Sequence, residues 1–185
     1  MKLISRTFCR SLKYEDLSEI VLVGHSYGGM VATGVADRVR DRIARLIYLD
    51  AFVPTDGQCL MDANPPTVRQ RMQEAAKAAD GWRVPSNPIP PDTSEADVKW
   101  ISERRVLQSI KCFEQPLAMR GNLTLPRSYV YFTRVTPADT FRPFAERAKN
   151  DPNWHYYELD ASHSAHVTAP EALARLLQTI VSQPT

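Results

Sequence analysis

The residues best suited to chemistry lie in the segment "GHSYGG", residues 24 to 29. An apolar run at residues 20–23 precedes it, and an amphipathic segment rich in Ala and Val follows it. Where a strand turns sharply into a helix, the residue at the bend is strained, and glycines two positions before and after it avoid a collision of Cβ atoms. Gly24 and Gly28 occupy these positions, so the pattern predicts that Ser26 is a nucleophile held above the strand ends.

A serine hydroxyl is a weak nucleophile and needs a base, usually a histidine that a carboxylate orients. Of the four histidines, His25 lies beside the serine and would point away from it, while His155 lies within a strand pattern. His163 and His166 follow the last predicted strand, where the base is expected in the chain order Ser, acid, His. We favour His163 because it comes directly after the strand end, and we interpret His166 as a helix-entry or pocket-wall residue.

Two aspartates are candidates for the acid. Asp139, in "TRVTPADTF", lies between a predicted strand and its helix, the usual place in this chain order, and is slightly favoured. The competing interpretation is that Asp139 caps that helix. Asp50, in "YLDAFVP", ends the strand next to the serine strand and is the alternative acid, although it could also be a turn residue.

The oxyanion and substrate contacts follow from the same strand ends. The Tyr27 backbone N–H lies at the N-terminus of a predicted helix, where it can bond a developing oxyanion. Phe52 and Val53 leave the catalytic end of the strand that carries Asp50, so both are candidate substrate contacts. We include His25 among the substrate-binding candidates and predict no metal ligand.

The elements that would position these residues form an α/β pattern. Residues 20–23 and 46–49 are continuous apolar runs typical of buried parallel strands, and residues 30–42 have helical periodicity between them. Residues 128–133 and 154–159 are two further predicted strands, each followed by a helical pattern. The sequence therefore predicts a mainly parallel sheet of about four strands with flanking helices.

The middle of the chain, from about residue 54 to 126, differs in character. It holds nine of the fourteen prolines, and two charged helical patterns at residues 67–79 and 95–110 flank the richest stretch. We predict an insertion of one or two helices within a single domain, residues 1–185. Near the C-terminus, residues 168–171 match a capping box before the last helix.

Composition narrows the functional classes. A length of 185 residues fits one domain with a real core. The formal net charge of +2 is spread along the chain, which argues against nucleic acid or anionic membrane as a partner. No apolar run reaches ~20 residues, which argues against a membrane span. The three cysteines form no CxxC pair, which favours a reducing compartment, and we expect a cytoplasmic protein.

Three stretches together resemble a known family: "VLVGHSYGGMVATGVADRV", "RIARLIYLDAFVPTDGQ" and "ELDASHSAHVTAPEALARLL". They resemble blocks of the small α/β-hydrolases related to bacterial esterases, plant methylesterases and hydroxynitrile lyases. The resemblance covers almost all of the chain from residue 15 onward. It implies an α/β-hydrolase fold with a helical cap at about 54–126, a small or medium acyl-ester substrate bound between cap and sheet, and no cofactor.

The chain departs from the family in two informative ways. Hydroxynitrile lyases of this kind carry a lysine just after the catalytic histidine, and Ser164 at that place disfavours cyanohydrin cleavage. Family members also run further upstream, through strands and a loop that supplies a second oxyanion donor. The resemblance thus implies an N-terminally shortened fold, in which a lost donor would cost ~10²–10³ in kcat.

A shortened fold leaves a sheet edge exposed, and copies of the chain could pair through it. The sequence leaves two expectations for the function of the protein. The first is a serine carboxylesterase. The second is a catalytically weak or inactive α/β-hydrolase-like protein that binds a small ligand or self-associates through this edge.

Overall fold

The computed structural model describes residues 2–135 and 139–183. Two single 3₁₀ turns, at Arg40–Arg42 and Leu60–Ala63, lie between the main elements. In chain order the elements are α1 (Lys2–Tyr14), β1 (Ile20–Ser26), α2 (Gly28–Arg38), β2 (Ile43–Ala51), α3 (Pro66–Ala79), β3 (Arg83–Val84), α4 (Glu95–Ser102), β4 (Gln108–Ser109), α5 (Lys111–Glu114), β5 (Arg127–Phe132), α6 (Arg142–Lys149), β6 (Trp154–Leu159), α7 (Ala165–Thr168) and α8 (Pro170–Ser182).

The main sheet has the strand order β1-β2-β5-β6, and each neighbouring pair is parallel. This confirms the predicted parallel sheet of four strands. Most residues of β2 and β5 are buried, because a parallel sheet covered by helices on both faces presents apolar residues in both directions. Within the described residues β1 is an edge strand, and Val23 on it is 41% exposed.

Helices cover the two faces of the sheet with separate apolar clusters. On one face, small residues of α2 and α6 pack on the buried tyrosines of β2 and β5. On the other face, α8 packs on aliphatic and aromatic residues of the same two strands. The carboxyl ends of the parallel strands are thereby held at one edge, where loops can bring distant side chains together. The main members are Ala32, Ala36, Tyr48, Tyr129, Ala145 and Ala148 on the first face, and Ile47, Leu49, Val130, Phe132, Leu173 and Ile180 on the second.

The segment from 54 to 126 lies between β2 and β5 in the chain and packs against Met30 in α2 and Phe52 just after β2. Tyr27 joins the two parts, because its hydroxyl donates to the Cys112 carbonyl at 3.1 Å and its ring meets Phe113 edge-on at 5.0 Å. The role of this segment as a cap, and the single-domain organisation, stay predictions. None of the described helices has the length and apolarity needed to cross a membrane.

The predicted helix at residues 95–110 is too long. Helix α4 ends at Ser102, and residues 108 and 109 form β4, which pairs antiparallel with β3. The Ile110 N–H also donates to the Trp82 carbonyl at 2.9 Å. Pairing with a segment more than twenty residues away therefore overrides the local helical pattern, which periodicity alone does not reveal.

The predicted capping box before the last helix does not form. Helix α8 begins at Pro170, and the residue that precedes it, Ala169, makes no side-chain cap. Thr168 lies in the short helix α7, so its hydroxyl is directed to Ser162 Oγ at 3.1 Å instead of to the amides of α8. The short helix between β6 and α8 is the feature that the pattern missed.

Candidate active site

Ser26 occupies a tight bend between β1 and α2. It is the last residue of β1, its φ is 53°, and α2 begins two residues later at Gly28. A positive φ is costly for a residue with a Cβ atom and persists only where the surroundings enforce it. The bend thus has the backbone geometry expected of a nucleophile elbow, and Tyr27 occupies the N-cap position of α2.

Of the two glycines predicted to avoid a Cβ collision at the bend, Gly24 does so and Gly28 does not. A Cβ atom on Gly24 would lie 2.9 Å from Ala32 Cβ, so this glycine permits the close approach of α2 to β1. Around Gly28 there is open space, and the expected collision there is wrong. Gly29 is the second glycine that the packing requires, because a Cβ atom on it would collide with the Phe52 carbonyl oxygen.

The loop after β6 brings His163 to Ser26. His163 Nε2 lies 3.0 Å from Ser26 Oγ, and His163 Nδ1 lies 2.7 Å from Asp50 Oδ2. A carboxylate accepts hydrogen bonds, so Nδ1 carries the proton and Nε2 faces the hydroxyl as an acceptor. The ring is also held from one side, since Phe141 stacks on it with the centroids 4.8 Å apart and the planes 10° from parallel.

Asp50 reaches His163 because β2 is irregular at this residue. Leu49 pairs with His25 and Ala51 pairs with Ser26, so Asp50 is an extra residue in β2 and forms a β-bulge. Its φ is 41°, which again is strained for a residue other than glycine. Its side chain is 7% exposed; burial raises the pKa of the carboxyl, and contact with His163 opposes that rise.

Asp139 is engaged elsewhere. Its carboxylate accepts from the Tyr131 hydroxyl at 2.6 Å and from the Arg142 backbone N–H at 3.0 Å, and it forms an ion pair with Arg142 Nε at 2.7 Å. The bond to the Arg142 N–H, the first amide of α6, resembles the capping role left open as the alternative for Asp139, although Phe141 is the residue at the N-cap position. The structure brings Asp50 to His163 and holds Asp139 at the start of α6.

His25 contacts His163, although the sequence suggested a contact with substrate. Its Nε2 lies 2.7 Å from the His163 backbone carbonyl, and a carbonyl only accepts, so Nε2 carries the proton. Burial, together with the nearby His163 and His166, lowers the pKa of His25 to about 3. His25 is therefore neutral at neutral pH, and its substrate-binding role stays a prediction. His166 is exposed, with its ring edge-on to His25 at 5.0 Å.

Phe52 and Val53 are both buried, each 6% exposed, and they belong to different apolar clusters. Phe52 packs edge-on against Phe141 at 5.1 Å and so supports the ring that covers His163. The Val53 carbonyl accepts from Arg147 Nη2 at 2.9 Å. Their roles as substrate contacts stay predictions. The stacking of Phe141 was missed, because its helical spacing indicates only a core position.

Two clefts lie beside the 54–126 segment. One of about 350 Å³ is lined by residues that include Cys59, Asp62 and Glu114. The other, of about 610 Å³, lies between α2, the end of β2 and the start of β5. Neither lining includes Ser26 or His163, so neither cleft is the candidate site.

Comparisons with known proteins identify a family and two relatives of this chain. Residues 3–176 match the model of the alpha/beta hydrolase family. A carbendazim hydrolyzing esterase from Nocardioides sp. (strain SG-4G) is 36% identical over 179 residues, which cover 91% of this chain and 74% of that protein. A probable hydrolase from Phoma sp. (strain ATCC 20986 / MF5453) is 26% identical over 172 residues, covering 86% of this chain and 68% of that protein.

Solved structures show the same fold. An extracellular alpha/beta-hydrolase from a Paenibacillus species superposes with a TM-score of 0.78 at 24% identity, covering 95% of this chain and 77% of that chain. A methylesterase from Arabidopsis superposes with a TM-score of 0.65 at 22% identity, covering 97% and 77% respectively. The expected N-terminal shortening stays a prediction. The family model and the esterase relative show that this chain belongs to the alpha/beta hydrolase family.

Proposed function

We propose that this protein is a serine hydrolase that cleaves small or medium carboxylic esters with Ser26, His163 and Asp50. The observation that carries the proposal is the continuous series of contacts from Asp50 Oδ2 through the imidazole to Ser26 Oγ, at 2.7 and 3.0 Å. Both distances are within hydrogen-bond reach, which is the geometric requirement for a nucleophile, its base and the group that orients the base. The similarity to an esterase supports the same reaction class.

The reaction begins when Ser26 Oγ attacks the ester carbonyl carbon and its proton passes to His163 Nε2. The imidazolium that forms is stabilised by the Asp50 carboxylate on Nδ1. The tetrahedral intermediate then collapses, and the alcohol leaves with the proton from Nε2. Water attacks the resulting acyl-enzyme, again with His163 as the base, and releases the carboxylic acid and the free serine.

Stabilisation of the oxyanion is assigned to the Tyr27 backbone N–H. This group lies at the N-terminus of α2, where the aligned peptide dipoles of the helix favour negative charge. A second donor typically contributes ~10²–10³ in kcat. If the Tyr27 N–H is the sole donor to the oxyanion, we expect weak turnover.

Ester turnover by wild type and Ser26→Ala tests the proposal. We expect hydrolysis of p-nitrophenyl acetate and butyrate by the wild type and a loss of at least about 10³-fold in Ser26→Ala, since removing a nucleophile removes the whole covalent route. Ser164→Ala, one residue from His163, is the matched control and should keep kcat within about twofold. Equal turnover by wild type and Ser26→Ala would refute the proposal.

The alternative, a weak or inactive protein that self-associates, has one observation in its favour. In the described residues β1 has no strand on its outer side, and the exposed Val23 lies on it. Such an edge can pair with another chain. A monomer by size-exclusion chromatography with Ser26-dependent turnover would exclude this alternative.

A further inference from the structure

The bulge at Asp50 leaves the next residue, Ala51, without its regular main-chain partners on the β5 side. The ladder between β2 and β5 runs from Leu46 opposite Arg127 to Leu49 opposite Val130 and ends there. Ala51 is fully buried, so its N–H and C=O need partners other than water.

A single side chain supplies both partners. The Tyr129 hydroxyl accepts from the Ala51 N–H at 3.1 Å and donates to the Ala51 carbonyl at 3.0 Å. Tyr129 lies on β5 and is itself fully buried. Its hydroxyl therefore replaces two ladder bonds that the bulge removes.

The Tyr129 hydroxyl fixes the backbone of Ala51 on its β5 side, where the regular ladder has ended. Towards β1, Ala51 pairs with Ser26, and the Phe52 N–H donates to the Ser26 carbonyl at 3.2 Å. Towards β5, Tyr129 makes the two bonds described above. The strained backbone of Asp50 is thus held from both sides, as a positive φ in a non-glycine residue requires.

Tyr129 keeps the proton that this role needs. Burial raises the pKa of its hydroxyl well above the ordinary value, and the nearby Asp50 carboxylate raises it further. The group therefore stays a donor as well as an acceptor across the working pH range.

We propose that Tyr129 is a positioning residue for catalysis: its hydroxyl holds the β-bulge that directs the Asp50 carboxylate to His163. This inference rests on the proposed function, because Tyr129 acts through Asp50 as the acid. It assigns to a buried core tyrosine an effect on the rate of ester cleavage.

The chain offers a closely matched control in Tyr48. Tyr48 and Tyr129 are register partners on the same face of the sheet, with their rings 6.5 Å apart and 15° from parallel. Both side chains are almost fully buried. The Tyr48 hydroxyl, however, bonds Thr33 Oγ1 at 2.7 Å and makes no contact with the bulge.

The experiment compares Tyr129→Phe with Tyr48→Phe. In Tyr129→Phe we expect kcat for p-nitrophenyl acetate to fall on the order of 10²-fold with KM within about twofold, because a small displacement of a catalytic group has an effect of that size. The acidic limb of its pH profile should move to lower pH, since a displaced carboxylate stabilises the imidazolium less. Tyr48→Phe should keep kcat within about threefold and leave the profile unchanged. Similar kcat losses in both variants would overturn the inference.

A double-mutant cycle separates this inference from the proposed function. If Tyr129 acts through Asp50, Tyr129→Phe should cause no further loss of kcat in an Asp50→Asn background. Loss of activity in Asp50→Asn but not in Tyr129→Phe would overturn the inference alone. Full activity of Asp50→Asn would overturn the proposed triad and this inference together.

Hydrogen exchange in the unchanged protein gives a test that does not depend on the folding of a variant. The Ala51 amide should exchange as slowly as that of Leu49 in the regular ladder, because both are hydrogen-bonded in the core. Exchange of the Ala51 amide at the rate of an exposed loop would contradict the proposed role of the Tyr129 hydroxyl.

Discussion

His25 bonds the main-chain carbonyl of His163, and its burial makes the fold less stable at low pH. Its pKa in the folded protein, about 3, lies below the value of 6.5 that an exposed histidine has. The unfolded chain therefore binds a proton at this residue at higher pH than the folded chain does. The contribution of His25 to stability is complete above about pH 6.5 and is lost as the pH falls towards 3, to a total of about 5 kcal/mol at most.

Replacement of His25 by glutamine should remove this pH dependence while it keeps an N–H donor near the His163 carbonyl. Between about pH 7 and pH 4, the free energy of unfolding should fall by less in His25→Gln than in wild type, as measured by chemical denaturation. His155→Gln, at an exposed position on β6, is the control and should behave like wild type. Parallel losses in wild type and His25→Gln would show that His25 is not held neutral by the fold.

The residue types and their chain order were enough to select Ser26 and His163 as partners, because a Ser, acid, His order requires a histidine after the last strand. The same reasoning slightly favoured Asp139 over Asp50. An extra residue in β2 decides which carboxylate reaches the imidazole, and a bulge leaves no periodic signal in the sequence. The contact between His25 and the His163 carbonyl was missed because it joins residues 138 positions apart, which no local pattern reveals.

At the scale of elements, the approach of α2 to the end of β2 depends on Gly29 and not on Gly28. We expect Gly29→Ala to destabilise the protein by about 1–3 kcal/mol or more, because the new methyl group collides with the Phe52 backbone. Gly28→Ala has open space and a helical position, so it should be neutral or stabilise by up to about 1 kcal/mol.

Thermal and denaturant unfolding of the two glycine variants measures this difference. The pair is well matched, because the two positions are adjacent in the first turn of α2 and receive the same change. A Gly28→Ala protein that is less stable than Gly29→Ala would contradict the packing described for this bend.

The strands of the main sheet were predictable because a buried parallel strand is a continuous apolar run, and residues 154–159 coincide with β6. The end of α4 was not predictable from the sequence, because the pairing of Gln108–Ser109 with Arg83–Val84 comes from tertiary contacts. Local patterns thus defined the elements of the sheet better than those of the segment from 54 to 126, where few residues are buried in any one helix.

At the scale of the whole molecule, the sheet brings Ser26, Asp50 and His163 together at the carboxyl ends of its strands. The three residues come from three separate parts of the chain. Ser26 ends β1, Asp50 lies near the end of β2, and His163 follows β6. The match to the alpha/beta hydrolase family accounts for the parallel sheet that carries them. Pairing of copies through β1, the cap and a cytoplasmic location stay predictions.

Comparison of Asp50→Asn with Asp139→Asn tests the central claim most directly. The two substitutions are identical in chemistry. Each removes a carboxylate that lies at or just after the carboxyl end of a strand of the sheet. We predict that Asp50→Asn lowers kcat for p-nitrophenyl acetate by ~10³–10⁴-fold, because the imidazole loses the group that orients and stabilises it. Asp139→Asn should reduce kcat by less than about tenfold, because it disturbs only the contacts at the start of α6. A larger loss in Asp139→Asn than in Asp50→Asn would contradict the account.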